Sequence, residues 1–347
     1  MESIAHFRAK SINEHTMISP LAHNVRNETR PDRDMQAVLD AQESLNPKPI
    51  DTLTPEEARK QPSPADGVRK LLRDKGRSAA ITGVTAEDIT YPSDGGMRKA
   101  RVYRPEHVDG QLPVILFFRG GGWVIADLDT YDATPRSLAK RTQAVVISAD
   151  YRTGPEHKFP AAHIDAVEAY RFVLANAAAW GGDPDRIAVV GESAGGNLAI
   201  NVAIAARDHA LPAPKHLVLV YPVASTDTST PSYSDSAEAA PLNAAMMTWF
   251  IRNATNGDSD LEDTRLNVVA GDLQGLPPTT IINAGIDPLR SDGDLLANAL
   301  QIAGVQVEHR VYDGATHEFF GMAAVVSAAD KAQDFAVSRM KADLAAE

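Results

Sequence analysis

From residue 114 onward the chain alternates short apolar runs with helix-length stretches, and few folds accept that pattern. Val114–Phe118, Ala144–Ser148, Ile187–Val190, Leu217–Tyr221 and Thr280–Ala284 are strand-length and largely apolar, and Val307–Tyr312 follows as a sixth strand. Helical stretches near residues 131–141, 161–178, 194–208 and 292–303 separate most of them, and another near 324–345 closes the chain. A strand that is apolar at successive positions is buried on both faces, as in a parallel sheet covered by helices on each side. Ahead of this series, Val84–Tyr91 and Arg98–Tyr103 flank the turn Ser93-Asp-Gly-Gly96 and predict two more strands. The expectation is an α/β fold with a mostly parallel eight-stranded sheet and helices on both faces.

Two stretches stand outside the alternation. Residues 1–83 read as an N-terminal helical segment, with a helix over Met35–Leu45 and a second opening at Thr54, where Pro55 and Glu57 complete a capping sequence. The basic stretch Val68–Lys75 reads as a solvated helix face, being short and poor in apolar anchors for a membrane surface. Residues 224–275 are rich in Ser, Thr, Asp and Asn yet contain Met246-Met-Thr-Trp-Phe250. So long a structureless loop is unusual in a compact domain, so this reads as an inserted piece with its own short helices. Met246, Trp249 and Phe250 either glue it to the body or touch a ligand. The remainder, 84–347, forms the body.

Charge and composition exclude several functions. The net charge of −12 repels a phosphate backbone, so nucleic acid is not an expected partner. There is no cysteine, which removes disulfides, thiolate catalysis and Cys-based metal sites, and no His pair stands at metal-ligand spacing. No apolar run approaches the ~18–20 residues of a membrane span. The first residues lack a basic start followed by an apolar stretch, so the expected location is cytoplasmic.

The chemistry is concentrated at Gly191-Glu-Ser-Ala-Gly195, which falls where the strand Ile187–Val190 ends and a helix begins. A serine on a tight strand-to-helix turn is exposed above the sheet, and the helix N-terminus directs free N–H groups toward developing negative charge. Such a nucleophile needs a base and an orienting acid from the ends of later strands, in the order Ser, Asp or Glu, His. Asp287 follows the strand Thr280–Ala284 and His317 follows the last strand. Asp292 competes for the acid's place, but its position near a helix start suits a capping role. Of the ten histidines, only His317 stands where a base is required; His309 lies within a strand, and His157, His163, His209 and His216 lie elsewhere. Gly120-Gly-Gly122, directly after Val114–Phe118 and Arg119, suits backbone donors for an oxyanion.

With these motifs in order, the sequence resembles the hormone-sensitive-lipase-like branch of the α/β-hydrolases, the bacterial family IV esterases. The resemblance covers residues 35–345. It rests on Arg119-Gly-Gly-Gly-Trp123, Asp150-Tyr-Arg-Thr-Gly-Pro-Glu-His157, Phe159-Pro-Ala-Ala162, Gly182-Asp-Pro-Asp-Arg186, Gly191-Glu-Ser-Ala-Gly-Gly196, Asp287-Pro-Leu289 and His317-Glu-Phe319. It implies an α/β-hydrolase fold in which the N-terminal helices and the 224–275 insertion form a cap. It implies Ser193, Asp287 and His317 as the triad and the N–H groups of Gly121, Gly122 and Ala194 as oxyanion donors. It further implies cofactor-free hydrolysis of small, often short-acyl carboxylic esters, and a family in which homodimers are common. An amidase or aryl formamidase would use the same atoms, and plant gibberellin receptors share the fold as non-enzymatic binding proteins with a broken triad.

This chain departs from the family pattern by carrying Arg119 where a His usually precedes the glycines, Glu192 where an Asp usually precedes the nucleophile, and Thr153-Gly154 in place of Leu-Ala. Arg119 and Glu192 end adjacent strands in the implied order, about 4.8 Å apart. A charge-assisted pair between them, steadying the Gly120–Gly122 loop, is therefore an expectation to be tested.

Overall fold

The computed structural model describes residues 30–345; the expected N-terminal helical segment falls outside it up to residue 29. Three helices come first, α1 (Arg33–Glu43), α2 (Pro55–Ala58) and α3 (Pro64–Asp74). Thr54 caps α2 as its sequence predicts. Its hydroxyl accepts from the N–H of Glu57 while the Glu57 carboxylate accepts from the N–H of Thr54, a reciprocal arrangement that satisfies two otherwise orphaned donors. Ser63 and Asp66 repeat the device at α3.

The body then builds one sheet. Its elements in chain order are β1 (Val84–Ser93), β2 (Gly96–Pro105), β3 (Leu112–Phe118), α4 (Ala133–Thr142), β4 (Val145–Ala149), α5 (Ala161–Asn176), β5 (Gly182–Glu192), α6 (Ala194–Asp208) and β6 (His216–Val220). After the inserted helices α7 (Pro231–Asp235) and α8 (Ala244–Ala254) come β7 (Thr279–Ile286), α9 (Arg290–Ile302), β8 (Val307–Thr316) and α10 (Ser327–Asp343). The eight strands lie in the order β1-β2-β4-β3-β5-β6-β7-β8, and β2 alone runs against the rest. The inner strands are buried at nearly every position, which accounts for their uninterrupted apolar character.

Each face of the sheet has its own core. On one side Tyr170 of α5, Leu198 of α6 and Leu296 of α9 pack on Leu116, Val189 and Leu219. On the other, Leu138 of α4 and Phe335 of α10 pack on Phe117, Val190 and Val218, joined by Met35 of α1 and Leu72 of α3. Residues 224–275 carry short helices, as expected, and Trp249 and Phe250 of α8 are buried in the first core. The Trp249 indole N–H donates to the carbonyl of Leu53 (3.0 Å), which ties the insertion to the N-terminal segment. Arg59 binds that segment to the body through the carbonyls of Val124 and Gly154 and both oxygens of Glu156.

The register of the sheet sets out the site in advance. Phe118 pairs with Gly191 and Glu192 with Val220, so β3, β5 and β6 end side by side. Ile286 pairs with Thr316, so the residues immediately after them, Asp287 and His317, leave β7 and β8 together.

Candidate active site

Ser193 stands between the end of β5 and the start of α6, with φ 57° and ψ −120°. A positive φ at a non-glycine residue costs on the order of 1–3 kcal/mol and persists only where the surroundings enforce it. Here Ser193 donates its N–H to the carbonyl of Val220 (2.9 Å), and its own carbonyl accepts from Val223 and Asn197 (both 3.2 Å). The flanking glycines permit the turn, since a Cβ on Gly191 would overlap the carbonyl of Gly195.

The three residues expected at the site come together. His317 Nε2 lies 3.1 Å from the Ser193 hydroxyl, and Nδ1 lies 2.6 Å from Oδ2 of Asp287. Asp287 is fully buried, and its second oxygen accepts from the N–H of Leu289 (2.9 Å). Both oxygens of the acid are therefore fixed, which fixes the ring it holds. The Tyr221 ring packs against the His317 imidazole, 4.4 Å between centroids. Burial pulls the His317 pKa down, but Asp287 outweighs it through charge and hydrogen bond, with Glu318 and Glu192 adding to the pull, and the net shift is upward from 6.5.

Gly121 and Gly122 turn with φ of 99° and 56° at the end of β3, and Phe250 lies where a Gly122 side chain would stand. Among the described residues, no protein group accepts a hydrogen bond from the N–H of Gly121, Gly122 or Ala194. A cleft of about 120 Å³ lies over Ser193 and His317, lined by Gly121, Gly122, Trp123, Leu242, Met246 and Phe250. The inserted helix α8 thus both packs on the body and lines the cleft.

The expected Arg119–Glu192 pair is absent. β3 ends at Phe118, so Arg119 leaves the pleat and its side chain turns to the opposite face of the sheet from Glu192. The guanidinium donates to Oδ1 of Asp150 through Nε (3.0 Å) and Nη2 (2.7 Å), and to the carbonyls of Gly120 (3.1 Å) and Ile125 (2.9 Å) through Nη1. It also lies 4.3 Å over the Tyr151 ring. Glu192 instead accepts from the Tyr221 hydroxyl (2.5 Å) and makes no bond to the glycine loop. Burial and the nearby Glu318 push Glu192 up to about 8.

Asp292 requires a second correction. It caps no helix, since Leu289 occupies the N-cap position of α9 without a side-chain bond. Its buried Oδ2 accepts from the N–H groups of Ala224 (3.0 Å) and Ser225 (2.9 Å), and so anchors the chain leaving β6. Among the described residues, no histidine other than His317 bonds the Ser193 hydroxyl. His163 bonds Asn197 and burial lowers it to about 4, whereas His216 lies between Asp343 and Thr280. Among the described residues no cluster of three or more His, Asp or Glu is placed to hold a metal, and no helix is long and apolar enough to cross a membrane.

Several contributors carry no signal of their own. Tyr131, which bonds Glu318 (2.5 Å), and Tyr221 reach the site through tertiary packing alone. Asp150 and Tyr151 stand in the motif running to His157, but their service to Arg119 depends on how β3 and β4 end.

A family model described as the alpha/beta hydrolase fold matches residues 115–321. The chain belongs to the α/β-hydrolase family. Within that family it is a member of the hormone-sensitive-lipase-like branch. The hydrolase is 41% identical over 286 residues to carboxylesterase NlhH of Mycobacterium tuberculosis, spanning 80% of this chain and 90% of that one. It is 33% identical to an ethyl acetate hydrolase of Pseudomonas putida, spanning 77% and 86%. A thermostable esterase from Pseudomonas putida superimposes with a TM-score of 0.83 at 32% identity, over 92% of the hydrolase and 99% of that structure.

Proposed function

We propose that this carboxylesterase cleaves small esters with short acyl chains through an acyl-enzyme on Ser193. The observation that carries the reading is the continuous hydrogen-bonded chain Ser193–His317–Asp287 beneath a cleft of only about 120 Å³. His317 takes the Ser193 proton as the hydroxyl attacks the acyl carbon, and Asp287 stabilises the imidazolium that results. The tetrahedral oxyanion is received by the N–H groups of Gly121, Gly122 and Ala194, which point their charge at an atom that becomes negative only as the reaction proceeds. His317 then returns its proton to the departing alcohol, and a water molecule repeats the sequence to release the acid.

Arg119 supports this reaction without touching substrate. Its bonds to the carbonyls of Gly120 and Ile125 bracket the oxyanion loop, and its ion pair with Asp150 fixes the guanidinium that makes them. The segment from Leu53 to Pro64 and helix α8 act as a cap that limits the room for the acyl and alcohol groups.

The test is a series of p-nitrophenyl esters of increasing chain length, with Ser193→Ala as the control. Turnover should fall as the chain exceeds what the cleft holds, and Ser193→Ala should lower kcat by about 10⁴-fold or more at an unchanged Tm. Near-normal turnover in the variant would overturn the mechanism, and a preference for long chains would overturn the substrate class.

A further inference from the structure

Among the described residues, two chambers lie side by side near the active site, and the chemistry above uses one of them. The other, about 760 Å³, lies between α3, α4 and the turn Phe319–Met322. Pro64, Thr130, Tyr131 and Glu318 line both and form the partition, braced by the bond from Tyr131 to Glu318. Neither Ser193 nor His317 lines the larger chamber. Val68, Leu72 and Met322 make part of its wall apolar. Its size is that of a small-molecule site.

The polar groups in it are unevenly satisfied. Glu192 is fully buried; one oxygen accepts from Tyr221, the Thr134 hydroxyl lies near the carboxyl, and the other oxygen, Oε1, has no hydrogen-bond partner among the described residues. Buried polar atoms are nearly always paired, so a lone carboxyl oxygen at the edge of a cavity points to a donor supplied from outside. Lys140, which also lines the chamber, is exposed to solvent, and the arginines around it do not make it an anion site. Arg69, Arg136 and Arg141 are each matched by aspartates, namely Asp66, Asp132, and Asp330 with Asp334.

We propose that the chamber is a second ligand site, and that it takes a protonated amine with a small apolar body. The ammonium donates to Oε1 of Glu192 and faces Glu318, and the body lies on Val68, Leu72 and Met322. Burial holds both carboxyls up, with Glu318 adding to the push on Glu192, which reaches about 8, and Asp287 adding to the push on Glu318. Of the other groups facing them, Tyr131 and Tyr221 stay protonated through burial, and His317 is committed to Asp287. A cation between the carboxyls therefore favours ionisation, so that binding near neutral pH expels a proton. Because Glu192 and Glu318 adjoin the serine and the histidine in sequence, an occupant lies against the supports of both. The inference does not depend on the substrate or on the reaction proposed above.

The probe is n-hexylammonium, titrated calorimetrically into the enzyme with Ser193 blocked by a phosphonate, which fills the catalytic cleft; hexan-1-ol and hexanoate are the controls. We expect saturable binding that is indifferent to the block, at least tenfold weaker binding of the alcohol, none of the acid, and a heat that varies with buffer ionisation. Glu192→Gln should weaken binding at least tenfold. Ala65→Trp, which fills the chamber from α3, should abolish it while leaving hydrolysis of a short ester unchanged, and decides the matter should Glu192→Gln not fold. Absence of saturable binding, its loss on blocking the serine, equal affinity for the alcohol, or its survival in Ala65→Trp would overturn the proposal.

Discussion

Replacing Arg119 by Met tests how the oxyanion loop is held. The substitution keeps an unbranched side chain in the buried space but removes five hydrogen bonds, two to Asp150, one each to the carbonyls of Gly120 and Ile125, and one to the Tyr151 hydroxyl. Removing one member of a buried ion pair costs about 3–5 kcal/mol, mostly because the other is left uncompensated. The Asp150 side chain is 27% exposed, so water recovers part of that loss and about 2–4 kcal/mol is expected. Activity should suffer separately. Loss of one oxyanion donor lowers kcat by about 10²–10³-fold, and a loop that is loosened but present should lose about 10–100-fold with little change in KM. Urea unfolding and hydrolysis of p-nitrophenyl acetate would be measured for Arg119→Met, Asp150→Ala and the double variant. A coupling of about 1–3 kcal/mol between these two positions is expected, whereas Arg119→Met with Glu192→Gln should be additive within about 0.3–0.5 kcal/mol, since the two share no partner. Additivity of Arg119 with Asp150, or a kcat within twofold of the parent for Arg119→Met, would refute the reasoning.

Three further outcomes are expected. Asp287→Asn should lower kcat steeply at modest cost in stability, while Asp292→Ala should cost about 2–3 kcal/mol in unfolding experiments by orphaning the N–H groups of Ala224 and Ser225, with the smaller effect on kcat. Activity should fall with acid as His317 protonates and ceases to accept the serine proton; because its pKa is raised, the midpoint of the kcat/KM profile should lie above 6.5. Glu192 has a folded pKa near 8 against an ordinary value of 4.5, so its favourable share of stability is complete below the ordinary value and lost as pH rises through 8. Glu192→Gln should therefore gain on the parent in Tm as pH goes from 5 to 9, and a pH-independent difference would show the carboxyl to be ionised throughout.

The parts of the fold legible in the chain are those set by local chemistry. Strands buried on both faces declare themselves by unbroken apolar runs, and the cap at Thr54 follows from three-residue spacing. The meeting of Ser193, Asp287 and His317 was legible because each stands directly after a strand, and parallel strands in one sheet end along one edge. The surroundings of Arg119 are not legible for a related reason. The pairing with Glu192 assumes that β3 continues one residue further than it does, and a single step off the pleat carries a side chain to the other face. The role of Asp292 is not legible because its partners, Ala224 and Ser225, are more than sixty residues away, and no local pattern reports such a contact. Tyr131 and Tyr221 were invisible on the same grounds.

Arg59 gives the N-terminal segment a part in a loop it does not contain. It grips the carbonyls of Val124 and Gly154 from the cap side, while Arg119 grips Gly120 and Ile125 from within the body. The loop that carries Gly121 and Gly122 is thus clamped between two arginines from segments that are separate on a linear map. Anyone grafting residues 30–83 from a relative to alter substrate range would be exchanging one jaw of that clamp. Such a chimera needs an arginine at position 59 and an acid at 156 to match, or it will report a damaged oxyanion loop as a change in specificity.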